Sequence, residues 1–385
     1  MTPRGRWAFF ALFAAYACLV IPLGIHKGDD VVTEISQSHR LLDGLVLYNT
    51  PQTQGIWWPP FTLLIVLPFA WVSGISLPLA KACWGALGIV ALAWAVQRSG
   101  RRWGWRPAVI ALAVVAFPVH NNFHHLNLET LLLALVVAAA ADLADGRQTR
   151  AGVWVGLATA LKIFPGLLLP YFALRRQWRA LAAGVGTAAA VSVLPLLRYG
   201  LAGTVEGLRN FALLTLHGQN FQGGTVVGLH MQKLGRLGYA LGGAPASIVL
   251  LHLLALGLLA AILIARPEKD DAPLEVGSVM LVAVLLTPIA WLHTFTLGYL
   301  AWVAAFAYVP AEEGGARRAW RWCLIAGAIY ASTALTALHL PGALQFVTFH
   351  DDTIGALVAL SLLAWQRIAR VRQAAPSTAR SPQPV

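Results

Sequence analysis

Residues 7–25 read WAFFALFAAYACLVIPLGI and contain no charged side chain. A helix that crosses a bilayer needs about 20 mainly apolar residues, so this stretch predicts a transmembrane helix. It is too long for a cleaved signal peptide and is not followed by an Ala-x-Ala exit site, so we expect it to be retained. The whole chain is similar in character, because 58% of its 385 residues are hydrophobic and 11% are charged, against roughly 25% charged residues in a soluble domain. We therefore predict an all-α, polytopic bundle of transmembrane helices.

The basic residues indicate how the chain is oriented in the membrane. A formal net charge of +12 would suggest a nucleic-acid partner for a soluble protein, but here Lys and Arg form short clusters between apolar segments. No nucleic-acid partner is predicted. The densest short basic loop covers residues 98–106, and the positive-inside rule places it in the cytoplasm with Arg4 and Arg6. Because residues 7–25 cross once, the apolar stretch 57–97 must cross an odd number of times.

This parity decides the span assignment. Residues 57–72 contain Pro59, Pro60 and Pro68, and we predict that they form an interfacial helix in the first outer loop, whereas 77–97 cross the membrane. About twelve spans with both termini in the cytoplasm then result. The remaining spans are predicted near residues 106–119, 127–144, 151–163, 165–175, 180–199, 246–265, 275–290, 293–310, 321–338 and 353–369. Residues 1–371 form the membrane domain, and 372–385 are predicted to be a disordered cytoplasmic tail.

Two carboxylates directly follow the first span. If the helix continues outward, His26, Asp30 and Glu34 share one face by i,i+4 spacing, with Asp29 beside Asp30. Carboxylates at such a boundary suit proton abstraction, and a solvated helix end is an equally good interpretation of the spacing alone. Under this topology most of the histidines and many of the acidic and amide residues lie at the outer face, which predicts a polar outer chamber.

Further candidates lie at the same face. Trp58 precedes a Pro-Pro turn and either anchors a helix at the headgroup level or walls a lipid cleft. Lys162 lies in an apolar hairpin, where a cation needs a partner or an anionic ligand, and we favour the ligand. His293 follows the proline break at Pro288, which would direct it into the chamber.

The segment 217–224 is a donor-rich loop containing Gln219 and Asn220, and Arg209 is one of the arginines that flank it as possible phosphate contacts. The candidate metal ligands are His120, His124, His125 and Glu129. Their spacing matches no standard zinc pattern, so no metal is predicted. The chain has no Walker loop, dinucleotide fingerprint or Asp-x-Asp pair, so no cofactor is predicted and nucleotide-sugar chemistry gains no support.

These motifs, in their order, resemble glycosyltransferase family 87, membrane enzymes of the GT-C superfamily that include polyprenol-phosphate-mannose-dependent mannosyltransferases. The resemblance rests on Asp30 with Gly44 and Tyr48, Trp58-Pro59-Pro60, His124-His125-Leu126-Asn127, Ala160-Leu161-Lys162 with Pro165, Gln219-Asn220, and Thr287-Pro288 with Trp291 and His293. The chain departs from the family at His124-His125, where relatives usually show Gly-Gln, and at Ala290, which replaces a Ser. Acceptor or sugar preference therefore need not follow the family.

The resemblance implies a function and a site. Asp30, with Asp29 adjacent, matches the catalytic base, and Lys162, His293 and Arg209 are assigned to the donor phosphate. The implied sugar or acceptor contacts are His124, His125, Asn127, Gln219, Asn220 and Trp58. The implied reaction moves a hexose, in the family most often mannose, from a polyprenyl-phosphate donor to a lipid or glycan acceptor at the outer face of a bacterial inner membrane. A flippase or transporter of the lipid-linked sugar is the alternative, with a structural scaffold third.

Overall fold

The computed structural model describes residues 3–48, 58–217, 234, 237, 241, 245–264, 271–287, 290–308, 314–332 and 351–374. Throughout these ranges the regular structure is helical, and no β-strand occurs in them. The first helices are α1 (Pro3–His26), α2 (Asp29–Leu42), α3 (Pro60–Ser73), α4 (Leu77–Trp103), α5 (Trp105–Val114), α6 (Ala116–His125), α7 (Glu129–Ala144) and α8 (Gln148–Leu161). They continue with α9 (Leu168–Leu174), α10 (Trp178–Val193), α11 (Gly200–His217), α12 (Pro245–Leu263), α13 (Ala272–Leu286), α14 (Tyr299–Ala307), α15 (Gly315–Ser332) and α16 (Asp351–Ala374).

Four helical stretches among the described residues are long and apolar enough to cross a membrane: Gly5–His26, Leu77–Trp103, Trp178–Leu213 and Asp351–Val371. Each of them contains one predicted span, respectively 7–25, 77–97, 180–199 and 353–369. Several other apolar helices are shorter, including α3 and α13. The count of about twelve spans and the interfacial position of α3 therefore stay predictions.

Three predicted segments differ in detail from the helices of the structure. The span predicted near 106–119 is two helices, because Pro118 lacks an N–H and its ring clashes with the carbonyl of Val114, where α5 ends. The span near 180–199 ends as an α-helix at Val193 and continues as the 3₁₀ turn Leu194–Tyr199, which has Pro195 near its start. At the C-terminus α16 extends to Ala374, three residues into the predicted tail, and residues 375–385 lie outside the described part.

The core of the bundle forms around α7 and α13, nearly all of whose residues are buried. Against α7 packs α8, and α10 packs on α8 with the two backbones in close approach. A Cβ on Gly152 would lie 2.2 Å from the carbonyl oxygen of Ala180, and one on Gly156 would lie 2.5 Å from that of Gly184. The contacts advance along both helices in the same direction, so α8 and α10 are parallel. Small residues that allow such an approach are typical of helix pairs in membranes.

The two ends of the bundle carry different polar groups. At the end of α7, Asp142 accepts hydrogen bonds from Arg98 and from the Trp154 indole, both at 2.8 Å. Glu129 begins the same helix, about 20 Å away at 1.5 Å per residue. Glu275, at the start of α13, accepts a hydrogen bond of 2.9 Å from Arg175, which directly follows α9. These arginine clusters therefore lie at the opposite end of the bundle from Glu129.

Candidate active site

The link between α1 and α2 sets the position of the two predicted carboxylates. Gly28 has a φ of 22°, and its N–H donates to the carbonyl of His124 at 3.1 Å. A Cβ at this position would lie 2.3 Å from the Gly24 carbonyl oxygen. The chain turns here, so the expected shared face of His26 and Asp30 does not form. Asp29 and Asp30 instead occupy the first turn of α2, where the positive end of the helix dipole stabilises carboxylates.

Lys81 holds the preceding helix end in place. Its side chain is buried on α4, and Nζ donates to the carbonyls of Ile25 at 3.1 Å and Lys27 at 3.4 Å. The last carbonyls of a helix lack partners within it, so a cation there satisfies them and complements the dipole. Lys81 was not among the residues predicted for the site. A single Lys inside the apolar span 77–97 is the signal that would have identified it, because an intramembrane charge is costly without a specific partner.

A tight turn between α6 and α7 supplies the groups that face α2. Leu126 adopts the left-handed conformation at φ 55° and ψ 44°, and its carbonyl accepts a 2.8 Å hydrogen bond from the Trp84 indole. Asn122 closes the turn, because its carbonyl accepts from Asn127 N at 3.0 Å and its Oδ1 accepts from Glu129 N at 3.0 Å. The turn is therefore rigidly held by buried partners.

Each of the two aspartates that begin α2 is bound by one residue of this region. His125 Nδ1 lies 2.8 Å from Asp29 Oδ1, and Asn127 Nδ2 donates to Asp30 Oδ2 at 2.6 Å. The His124 ring stacks edge-on beside that of His125, with centroids 5.0 Å apart. The structure thus brings together five of the residues predicted for the site.

Burial and neighbouring charges separate the pKa values of the carboxyl groups of α2. Burial raises the pKa of Asp30, and the hydrogen bond from Asn127 and the Lys162 charge only partly oppose it. For Asp29 burial also acts upwards, but the hydrogen bond and charge of His125 outweigh it and lower the pKa. Burial and the nearby Asp30 raise the pKa of Glu34 well above its usual value, which favours the neutral acid. Asp30 is therefore the more basic carboxylate of the adjacent pair.

Glu34 lies one turn behind Asp30 and deeper. Its side chain is fully buried, and neither carboxyl oxygen has a hydrogen-bond partner among the described residues. Of the three residues expected to share a helix face, His26, Asp30 and Glu34, only Asp30 and Glu34 do so. A buried acid without partners is costly when ionised, which agrees with its raised pKa.

Lys162 follows α8 and reaches the cluster from the opposite side. Its Nζ lies 2.5 Å from Glu129 Oε1, and Thr62 at the start of α3 donates to the neighbouring Leu161 carbonyl at 2.7 Å. A protein partner and an anionic ligand were both open for this cation, with the ligand favoured; the structure supplies a partner in Glu129, and the anionic ligand stays a prediction. The ammonium group has three N–H donors, so the ion pair leaves donors for a further anion.

His293 is buried in the 3₁₀ turn Leu292–Gly298. Its Nδ1 lies 3.3 Å from Asn121 Oδ1, and its ring centroid is 6.1 Å from that of His125. The proline break proposed to direct it includes residues 288–289, which lie outside the described residues. His293 nevertheless joins the same cluster as His125.

The remaining predicted residues are less closely connected. Trp58 is half-buried just before α3, and its carbonyl accepts a 3.0 Å hydrogen bond from Tyr48. Arg209 is exposed on α11, and no contact in the described part of the chain links it to the cluster. Gln219 and Asn220 fall outside the described residues.

A divalent cation could be held by a different set of residues from the one considered in the sequence. Asp29, Asp30 and His125 present ligand atoms that all lie within 4.8 Å of one another. Carboxylate and imidazole ligands are compatible with several divalent metals. The same atoms already take part in the hydrogen bonds to His125 and Asn127, so a bound ion would have to replace those bonds.

Comparison with known proteins adds a family match. Residues 57–288, more than half of the chain, match glycosyltransferase family 87. The chain is 29% identical over 317 residues to the polyprenol-phosphate-mannose-dependent alpha-(1-2)-phosphatidylinositol mannoside mannosyltransferase of Mycolicibacterium smegmatis, covering 69% of this chain and 67% of the relative. It is 26% identical to the protein of the same description from Mycobacterium tuberculosis, covering 68% and 66%.

Two more distant similarities complete the comparison. An alpha-(1->3)-arabinofuranosyltransferase of Corynebacterium glutamicum is 25% identical over 193 residues, which cover 47% of this chain and 45% of the relative. The crystal structure of ArnT from Cupriavidus metallidurans bound to undecaprenyl phosphate has a TM-score of 0.48 and 15% identity, covering 94% of this chain and 78% of that one. The chain thus spans about two thirds of the two mannosyltransferases and less than half of the arabinofuranosyltransferase.

Proposed function

Because the chain belongs to glycosyltransferase family 87, we propose that it transfers a hexose from a polyprenyl-phosphate donor to a lipid or glycan hydroxyl. Mannose is the first sugar to test, because two of the relatives are polyprenol-phosphate-mannose-dependent mannosyltransferases. The reaction takes place at the outer face of a bacterial cytoplasmic membrane, and both termini lie in the cytoplasm. The observation that carries the proposal is the half-buried Asp30, held by Asn127 within a cluster that also contains Lys162 and His293.

Asp30 acts as the general base. As the acceptor oxygen attacks the anomeric carbon, its proton passes to the Asp30 carboxylate, and the bond between that carbon and the donor phosphate oxygen breaks. A single displacement inverts the configuration, so a β-linked donor gives an α-linked product. Asn127 occupies one carboxylate oxygen at 2.6 Å, which leaves the other for the acceptor. The raised pKa of Asp30 makes it a stronger base than an ordinary aspartate.

The departing phosphate carries growing negative charge and needs no protonation, which is why one carboxylate suffices. Lys162 and His293 are placed to stabilise that charge, because preorganised donors are most effective where charge develops. Arg209 could contribute only from outside the described cluster. The polar side chains of His124, His125 and Asn127 are the candidate sugar or acceptor contacts, as are Trp58, Gln219 and Asn220.

A carrier of the lipid-linked sugar is the alternative function, and it would not need a base. The test is transfer of labelled mannose from synthetic polyprenyl-phosphate-mannose to extracted membrane lipids and glycans by wild type, Asp30→Asn and Asp43→Asn. Asp43 is a suitable control because it directly follows α2, at the end of the helix away from Asp30. We expect Asp30→Asn to lose about 10²- to 10⁴-fold in turnover, and the control to keep it.

Donor binding is measured on the same three proteins. Retained binding with lost turnover supports a base. Turnover with another polyprenyl-phosphate sugar would keep the mechanism and change the donor. If the protein moves the lipid-linked sugar without forming a glycosidic bond, and Asp30→Asn does not change this transport, the protein is a carrier and not a transferase.

A further inference from the structure

A polar cavity lies at the end of the bundle opposite Asp30. It has a volume of about 530 Å³ and is formed by the loop between α7 and α8 together with the loop between α9 and α10. Its lining includes four arginines, Arg147, Arg150, Arg176 and Arg179, and no acidic side chain. Two loops 30 residues apart in sequence therefore direct their cations into one concavity.

The positive charge of this cavity is only partly balanced. Arg147 lies 2.8 Å from Asp142 and also pairs with Asp145, and Arg150 lies 3.4 Å from Asp142. Arg176 and Arg179 have no acidic partner within the described ranges. Guanidinium groups present rigid donors that suit phosphate oxygens, and an unbalanced pair in a concavity predicts an anionic ligand.

The helix packing adds backbone donors to this charge. Because α8 and α10 are parallel and approach closely at Gly152, both begin at the cavity. Neither helix has a side-chain hydrogen bond capping its N-terminus. Their first-turn N–H groups and dipoles therefore add to the attraction that the arginines exert on an anion.

The surroundings of the cavity favour a lipid as the source of the anion. Trp178 at its rim is 60% exposed, and exposed tryptophans of membrane proteins are typical of the headgroup level. The positive-inside rule assigns this end of the bundle to the cytoplasm. The volume falls in the range of about 300–1,000 Å³ that small ligands occupy. Lys162 lies at the other end of α8, about 21 Å along the helix, so the cavity is separate from the candidate active site.

We propose that this cavity binds the phosphate headgroup of an anionic phospholipid from the cytoplasmic leaflet. Phosphate oxygens accept from Arg176 and Arg179, and the glycerol part fills the remaining volume. Pockets of basic residues between helices at the cytoplasmic face commonly bind the headgroups of acidic lipids.

The test is native mass spectrometry of the purified full chain titrated with phosphatidylglycerol, with phosphatidylcholine of the same acyl chains, and with sn-glycerol 3-phosphate. The variants are Arg176→Gln/Arg179→Gln and, as a matched control, Arg318→Gln/Arg321→Gln, which removes two exposed arginines near the start of α15. We expect phosphatidylglycerol to bind in preference to phosphatidylcholine. The cavity variant should bind it about thirtyfold more weakly, because each arginine near an acidic lipid contributes about a fivefold factor.

Several results would overturn the proposal. Wild-type affinity in the cavity variant, or an equal loss in the control, would show that the cavity is not the site. Equally tight binding of sn-glycerol 3-phosphate would make it a site for free phosphate rather than for a lipid. If the glutamine variant does not fold, Arg176→Lys/Arg179→Lys keeps the charge and loses the bidentate geometry. It should then bind phosphatidylglycerol more weakly than wild type, and unchanged binding would count against the proposal.

Discussion

Replacing Asn127 by Ala should move the acid limb of the pH–activity profile to higher pH. The Asn127 amide donates to Asp30 Oδ2 at 2.6 Å, and this hydrogen bond lowers the pKa of Asp30 against the opposing effect of burial. Asp30 must be ionised to accept a proton from the acceptor hydroxyl. Without the hydrogen bond the pKa of Asp30 rises further, so turnover should be lost at a higher pH than in wild type.

The size of the shift follows from the strength of the bond. A hydrogen bond to a charged group contributes about 1.5–3 kcal/mol, and one pKa unit corresponds to about 1.36 kcal/mol. The shift is therefore about 1–2 pH units. We expect the lower value, because Asp30 is half-buried and water can replace part of the lost bond. At high pH, where Asp30 is ionised in both proteins, the difference in turnover between them should be smallest.

The assay is kcat/KM for labelled-sugar transfer measured across the acid limb, which reports the pKa of the free enzyme. Asn122→Ala is the control. Both asparagines accept a hydrogen bond from a backbone N–H at the start of α7, Asn127 from Leu128 at 2.7 Å and Asn122 from Glu129 at 3.0 Å. Only Asn127 also donates to Asp30. If the acid limb stays in place in Asn127→Ala, or moves equally in the control, Asp30 is not the titrating base.

Three further predictions concern the buried acids and the possible metal. Glu34→Gln should keep turnover and leave Tm unchanged below about pH 4. At higher pH it should raise Tm, because the pKa of Glu34 is raised in the folded protein and its ionisation therefore destabilises the folded state. Lost turnover would instead point to Glu34 as the base. Glu275→Ala should lower the free energy of unfolding by about 3–5 kcal/mol, because it removes a carboxylate that pairs with the buried Arg175 and one of the two carboxylates that pair with the buried Arg367, the other being Asp271. Ser278→Ala on the same helix, whose hydroxyl has no hydrogen-bond partner among the described residues, should cost much less, and equal losses in denaturant titrations would refute the role of the network. A chelator should leave transfer intact, because hydrogen bonds already occupy Asp29 and Asp30; loss of activity restored by a divalent cation would show that the cluster binds a metal.

Local sequence properties predicted much of the architecture. The length and hydropathy of residues 7–25 and 77–97 indicated two spans, and both lie in helices that could cross a membrane. The motifs around Asp30 and Lys162 identified the family, which the match over residues 57–288 confirms. These predictions succeed because the apolar length of a helix and the spacing of a motif are properties of a few consecutive residues.

The helix breaks at prolines and at Gly28 were harder to predict from the sequence. Pro118 and Pro195 each interrupt a stretch that is apolar enough to be read as one span. Gly28 separates α1 from α2 and so removes His26 from the face of Asp30. The apolar pattern continues through such breaks, so hydropathy alone does not locate them.

The partners of the charged groups depended on the tertiary structure. The sequence by itself determined that this is a helical membrane protein of the family and that Asp29 and Asp30 follow its first span. Only the packing of the helices decided that Lys162 meets Glu129 and that Asn127 binds Asp30. It likewise decided that α8 and α10 begin at one arginine-lined cavity. The two members of each pair lie far apart in sequence, so the sequence alone allows a charge at a helix end several possible partners. Close packing of helices, as at Gly152, determines which helix ends lie side by side and therefore which partner is used.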